Sequence, residues 1–290
     1  MNINVLSNKQ DLLKYFILAY ALSFLIWVPL IFVPVDTEEL GPLLMLLGVW
    51  GPMLAAYLVS KQTQTTSLFW KSSFLVKVDW IWYVYSLGIP LVINVIVIFS
   101  AHILAKSPDY SAALVWWLYP FLFLFMALLG GGMEEPGWRG FAILRLLTMF
   151  NPFVSSVILG LVWTYWHTPL FFIPFSYQAS YTAIDIFLWY PLAVTSLAII
   201  MTWLFIKSGG SGFLAIIFHA GINAVNNFRP EFTVGYINTF VVGEIAIFVT
   251  AVVVVLLNRQ MFFTRWTIPS GFLGLEIDSE KTFDNQFSQL

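Results

Sequence analysis

The chain has 290 residues, 60% hydrophobic and 10% charged, against roughly a quarter charged in an ordinary soluble domain, which excludes a soluble globular protein. A formal net charge of −2 and a pI near 5.9 offer no basic surface to a phosphate backbone, so no nucleic-acid partner is expected. The absence of cysteine removes disulfides, thiolate metal ligands and a cysteine nucleophile, and leaves Glu, Asp, His, Ser and Asn to carry any chemistry.

A helix needs about 20 apolar residues to cross a hydrocarbon core of about 30 Å. Stretches 16–35, 40–60, 80–105 and 110–133 are free of Asp, Glu, Lys and Arg and give the first four spans. Pro152 and Pro174 bracket a fifth. Stretches 186–206, 208–228 and 232–258, the last interrupted only by Glu244, supply spans six to eight. The expected fold is therefore all-α, a polytopic transmembrane bundle of about eight spans in the lipid bilayer of the cell. With the N-terminus inside, Lys9, Lys14, Lys61, Lys71, Lys77, Arg139, Arg145, Lys207, Arg259, Arg265 and Lys281 fall on the cytoplasmic side. Only Lys106 and Arg229 fall outside, with the acidic turn Asp36-Thr37-Glu38-Glu39. This bias predicts that both termini are cytoplasmic. The first apolar run exceeds the roughly 7–15 residues of a signal-peptide core and reads as a retained helix. Residues 1–268 form a single transmembrane domain on this reading, and 269–290 a polar cytoplasmic tail.

Ionisable residues at membrane depth are costly and are candidates for function. Glu134 and Glu135 stand at the inner end of span four, His167 in span five, Asp185 at the edge of span six, His219 in span seven and Glu244 in span eight. His102 lies near the outer end of span three, where an interfacial role suffices. Glu134-Glu135-Pro136-Gly137-Trp138-Arg139 follows three glycines. Pro136 predicts a new helix starting here with Glu135 near its N-cap, and Arg139, four residues on, is placed to pair with Glu135. Glu134 has no local counter-charge, as suits a general base. His219 and Asn223 share one helix face at i and i+4, with Asn226 and Asn227 beyond them. Asp185 reads as structural, and Glu244 as a packing or supporting residue.

Gly209-Gly210-Ser211-Gly212 matches the GxSG of a rhomboid serine protease, but His219 is eight residues along the same helix. That places it roughly 12 Å away, so the segment reads as a loop entering span seven. A His-Glu-x-x-His helix and paired intramembrane aspartates are both lacking. A water activated by glutamate or metal is the chemistry this inventory permits. A transporter using Glu134, Glu244 and the histidines as a proton relay is an alternative function, and a non-catalytic immunity-type membrane protein another.

The motifs Glu134-Glu135-x-x-x-Arg139, Trp163-x-x-x-His167 and His219-x-x-x-Asn223 resemble, in order and in placement on successive spans, those of the CPBP (Abi) family of intramembrane proteases. That family includes the type II CAAX prenyl endopeptidases and bacteriocin-processing or self-immunity proteins. The resemblance covers roughly residues 114–227, and Trp163 stands where the second motif usually has phenylalanine, a conservative change in bulk. It implies that Glu134 and His167 activate a water, that His219 and Asn223 bind the oxyanion, and that Glu135 and Arg139 orient the site. It implies a membrane-bound peptide or protein substrate, cut near the cytoplasmic face. The usual family name, metalloprotease, leaves a divalent metal such as zinc as the alternative to a water activated by Glu134 and His167 alone, with Glu134, His167 and His219 as its three ligands if one is present. Counting residues from the inner helix ends puts His167 deeper than Glu134 or His219. Span five is therefore expected to begin later than Pro152, after an interfacial helix from Gly137 onward.

Overall fold

The computed structural model describes residues 6–32, 40–105, 107–269 and 271–274. The acidic turn at 36–39, Lys106 and the tail from 275, with Lys281, lie outside the described residues.

Apolar runs without interior charge become helices, as the bilayer requires of any spanning segment. Six are long and apolar enough to cross a membrane among the described residues: Lys9–Phe32, Leu40–Gln62, Trp80–Leu104, Trp116–Met149, Asp185–Lys207 and Thr239–Leu257. The chain is a multi-pass integral membrane protein. In chain order it comprises α1 (Lys9–Phe32), α2 (Leu40–Val49), α3 (Gly51–Gln62), the short α4 (Thr66–Ser73), α5 (Trp80–Leu104) and α6 (Tyr119–Leu128). After α6 a 3₁₀ turn, Gly131–Glu134, leads into α7 (Glu135–Gly137), a π-helical stretch Trp138–Ile143 and α8 (Leu144–Met149). There follow α9 (Pro152–Trp166), α10 (Tyr190–Lys207), α11 (Gly212–Val225), α12 (Thr239–Leu257) and α13 (Arg259–Phe263). A two-residue hairpin, Thr233–Val234 against Ile237–Asn238, joins α11 to α12.

The eight expected runs correspond to the six long helices together with α9 and α11. These two are short, at 15 and 14 residues. Each is capped by side chain: Asn151 Oδ1 accepts the Val154 N–H at 2.9 Å, with Pro152 at the first helical position, and Ser211 Oγ accepts that of Leu214 at 3.3 Å. Ser211, fully buried, also donates to the Leu75 carbonyl at 2.6 Å. It is a cap at a loop, which disposes of the serine-protease reading.

Span four breaks at Leu129–Gly130, close to its expected end, but the chain resumes as helix at Gly131 and continues to Met149, and every residue from Glu134 to Leu147 is buried. The new helical segment begins at Gly131, four residues before Glu135. The stretch after Gly137 is therefore buried within the bundle. Nor are Arg139 and Arg145 cytoplasmic loop charges: they are 0% and 2% exposed. Arg145 donates to the Phe141 carbonyl and Thr65 Oγ1, each at 3.2 Å, and lies 3.4 Å over the Phe141 ring. Arg229, counted outside, is also buried and donates to Asn94 Oδ1 at 3.0 Å. A charge-free window marks a span's end only where the next charge meets water, and here the charges meet partners.

The same extension brings His167 back beside Glu134. Fifteen residues separate Glu134 from Met149, and fifteen separate Pro152 from His167, so the chain runs about 22 Å past Glu134 and returns about 22 Å. Span five begins at Pro152 after all, and His167 comes back level with Glu134.

Close helix approach depends on small residues. Ser23 Oγ donates to the Gly48 carbonyl at 2.7 Å and accepts the Trp166 indole N–H at 2.9 Å, which pins α1, α2 and α9 together. At Gly160 on α9 an added Cβ would lie 2.6 Å from the Thr195 Cα on α10, and backbone cannot yield as a side chain can. Gly160→Ala should therefore separate α9 from α10 and destabilise by roughly 1–3 kcal/mol. Gly88→Ala, with nothing within 4 Å of the new methyl, should leave stability unchanged or raised. Thermal unfolding of the two detergent-solubilised variants checks this, and equal melting temperatures would refute it.

Candidate active site

The site grows from a break in span four. Gly130 takes φ −92° and ψ −148°, outside the helical region, and the chain resumes as the 3₁₀ turn Gly131–Glu134. In a 3₁₀ turn residues i and i+3 eclipse, so Glu134 stands over Gly131 on the same face. Pro136 then starts the next turn without an N–H to lose, and a π-helical stretch follows, as is common at functional sites.

Glu134, 3% exposed, pairs with no cation. Its Oε2 accepts the Trp163 indole N–H at 2.6 Å, and that of Trp138 in a longer 3.4 Å contact. Glu135, 0% exposed, takes the charges instead. Arg139 Nη1 reaches both of its oxygens, at 3.0 and 2.7 Å, forming the expected i, i+4 pair despite the π-helical turn. His219 Nδ1 lies 2.8 Å from Glu135 Oε1. Since a carboxylate only accepts, Nδ1 carries the proton and the ring is fixed with Nε2 turned away from Glu135.

His219 Nε2 and Asn223 Nδ2 meet over Gly131. They lie 2.5 and 2.7 Å from the point where a Cβ of residue 131 would sit. Helical spacing on α11 puts both groups on one face, and the missing side chain lets them overhang the turn that carries Glu134. Gly221, between them in sequence, packs on Pro90 of α5. His167 occupies the C-cap of α9, its Nδ1–H donating to the Trp163 carbonyl at 2.8 Å. Its ring abuts those of Trp166 and Tyr190, with centroids at 4.8 and 5.5 Å.

The site residues fall within the stretch that is similar to known proteins. Residues 115–225 match the family described as type II CAAX prenyl endopeptidase Rce1-like. A "CAAX prenyl protease 2" of Methanococcus maripaludis is 34% identical over 146 residues, 49% of this chain and 52% of that one. The chain thus spans about half the length of the curated relative it matches.

Within the matched stretch, Glu134, Glu135, Arg139, His219 and Asn223 converge. His167 joins them through Trp163, with no hydrogen bond to Glu134 among the described residues. No group of three or more His, Cys, Asp or Glu among these residues could hold a metal ion, so Glu134, His167 and His219 do not form the ligand set expected of them. The physical reason is local. The Trp163 backbone fixes the His167 ring, and its indole engages the Glu134 oxygen.

Asp185 accepts the Thr182 N–H and hydroxyl at 2.8 and 2.7 Å and caps the turn before α10. Asn226 and Asn227 fall into a 3₁₀ turn beyond α11 and leave its face. Glu244 lies apart, its Oε2 buried without a hydrogen bond, and Arg229 is the charge bearing on it most. Sequence reasoning missed Gly131, Trp138 and the donor role of Trp163. Three consecutive glycines signalled close approach without saying which one, and an indole N–H has no spacing of its own.

Removing one partner of a buried ion pair costs about 3–5 kcal/mol, whereas replacing both by apolar groups can be neutral. Arg139→Met should accordingly lower thermal stability by about that amount, and Glu135→Gln/Arg139→Met should recover part of it. A double variant less stable than the single one would contradict this.

Proposed function

We propose that this chain is an intramembrane endopeptidase that hydrolyses a peptide bond of a membrane-associated peptide or protein near the cytoplasmic face. The observation that carries the reading is the convergence of His219 Nε2 and Asn223 Nδ2 on one point over Gly131, on the face where Glu134 stands. Two nitrogens aimed at one position, beside a carboxylate without a cation, suit an oxygen that gains negative charge as water attacks a carbonyl. The Rce1-like match over 115–225 supports the same reaction class. The name of the 34% identical relative suggests a substrate ending in a prenylated CAAX motif.

Glu134 takes a proton from a water as its oxygen bonds to the scissile carbonyl carbon. Oε2 is held by the two indoles, so Oε1 faces the water. With Nδ1 committed to the Trp163 carbonyl, His167 has Nε2 left to accept a second hydrogen bond from that water. The carbonyl oxygen, now an oxyanion, lies between the Asn223 amide and His219. His219 presents Nε2 toward it, the ring held through Nδ1 by Glu135. Collapse of the tetrahedral intermediate breaks the C–N bond, and the proton on Glu134 passes to the leaving amine. Every step here uses this chain's own groups.

Eight passes, counting α9 and α11, with cytoplasmic termini complete the proposal. Lys9, Lys14, Lys61, Lys71, Lys77, Lys207, Arg259 and Arg265 supply the basic bias once the buried arginines are set aside. His219 is seven residues into α11, so the reacting groups lie about 10 Å along that helix from its start.

The test is cleavage of a farnesylated CAAX peptide by purified protein in proteoliposomes. Glu134→Gln should abolish turnover. Asn223→Ala should lower kcat by about 10²–10³. Gly131→Ala, whose methyl would displace both nitrogens, should lower kcat comparably while the protein still folds, because the clash is with side-chain tips and not backbone. Dialysis against a chelator should leave the rate unchanged. Full cleavage by Glu134→Gln would overturn the reading, and loss of activity on chelation with recovery on adding zinc would overturn the metal-free scheme.

A further inference from the structure

One side chain touches four of the polar residues of the site and belongs to none of their ion pairs. Trp163 is 1% exposed. Its indole N–H reaches Glu134 Oε2 at 2.6 Å, and the Arg139 guanidinium carbon lies 4.5 Å over its ring. Its ring stands edge-on to His219 at 5.2 Å and 5.9 Å from that of His167, and its carbonyl takes the His167 Nδ1–H at 2.8 Å. A phenylalanine here could supply the ring contacts and the carbonyl. It could not supply the N–H.

We propose that Trp163 is a positioning residue that aims the Glu134 carboxylate. The assignment rests on the proteolytic reading and deepens it. A hydrogen bond of 2.6 Å to a charged acceptor is at the strong end of its class, and the only other donor to Glu134 among the described residues is 3.4 Å away. With the short bond present, Oε2 is anchored on α9 and Oε1 is turned toward the space over Gly131. Without it the carboxylate keeps one long contact and rotates freely about its side-chain bonds. A catalytic group must be held to within roughly 0.5 Å of its working position, so the loss would fall on the chemical step and not on substrate binding. The donor is neutral, so it orients the carboxylate through a hydrogen bond without placing a positive charge against it.

Trp163→Phe keeps the ring between Arg139 and the histidines and deletes only the donor. Its kcat on the farnesylated peptide should fall about 10- to 100-fold, the range of one hydrogen bond to a charged group. KM should stay within threefold and melting temperature within a few degrees. In a Glu134→Asp background, whose shorter side chain withdraws from the indole, the same substitution should cost little more. Trp163→Phe with kcat within threefold of wild type, or an equal loss in both backgrounds, would overturn the assignment and leave the proteolytic reading standing. An activity-independent arm uses ¹⁵N-tryptophan labelling. The Trp163 indole resonance, identified by its disappearance in Trp163→Phe, should move in Glu134→Gln while those of residues outside the site, such as Trp70 and Trp80, stay fixed. An unmoved Trp163 resonance would overturn the contact whether or not the peptide is cleaved. Failure of the wild type to cleave any CAAX peptide, with the resonance moving as expected, would overturn the proteolytic reading instead.

Discussion

With no water in the hydrocarbon core, a guanidinium at the place of Arg139 persists only while a carboxylate stands against it, and Glu135 is that carboxylate. Both are 0% exposed. The same oxygen that meets Arg139 also takes the Nδ1–H of His219, so one anion ties the helical run Gly131–Met149 to α11. Through Arg139, which lies over the Trp163 ring, it ties both to α9. The rotation of the His219 ring follows from this contact, and with it the direction of Nε2. An arrangement of three helices that packing alone would leave free to slide is thus held in register by one buried charge. Polar groups in a bundle core specify position in this way even where their net contribution to stability is small.

Such contacts work only at short range, and the bundle reaches that range by omitting side chains. Gly137 sits against the Pro52 backbone on α3, Gly140 against Ser73 and Gly212 against the Ser72 carbonyl on α4, and Gly160 against Thr195 on α10. At Gly131 the omitted side chain leaves room for chemistry, where at Gly160 it only lets two backbones meet. The ends of α9 and α11 belong to the same economy of space. Non-helical backbone at membrane depth survives where protein covers it. After His167 the chain continues in a 3₁₀ turn, where the Leu170 N–H returns to the His167 carbonyl at 2.9 Å and Ser176 donates to the Leu170 carbonyl.

Much of this was legible in the sequence. Charge-free runs located the helices, and the i, i+4 spacings of Glu135–Arg139 and His219–Asn223 gave the right faces because a helix imposes them. The buried helical run after the break at Gly130 was not legible. A residue count treats a carboxylate as a mark of water, and only the tertiary structure says whether a charge has met a guanidinium instead. That misplacement alone produced the apparent mismatch in depth between His167 and Glu134, since the returning α9 needed the extra turns to come back level. Trp163 was read as bulk. Its N–H matters only because α9 folds back beside the Gly131–Glu134 turn, 29 residues away in sequence, and no local pattern encodes that. Arg139 and Arg145 entered the charge asymmetry as loop residues for the same reason.

Glu134 and Glu135 show what adjacent identical residues become when a helix changes pitch between them. Glu134 closes the 3₁₀ turn and Glu135 opens the α-helical one, so their side chains leave the axis about 100–120° apart, one toward Gly131 and one toward Arg139 and His219. Glu135 is consumed by two cationic or protonated donors and is unfit to accept a proton. Glu134, engaged by indoles that carry no charge, is oriented but not neutralised. On the proposed reading Glu134 is a base that must be held still without being paired, and neutral donors from two tryptophans meet that requirement where a lysine or arginine could not. The division is therefore set by the local backbone: a regular α-helix through Gly131–Gly137 would still separate the two carboxylates, but it would turn Glu134 about 60° from its eclipsed position over Gly131.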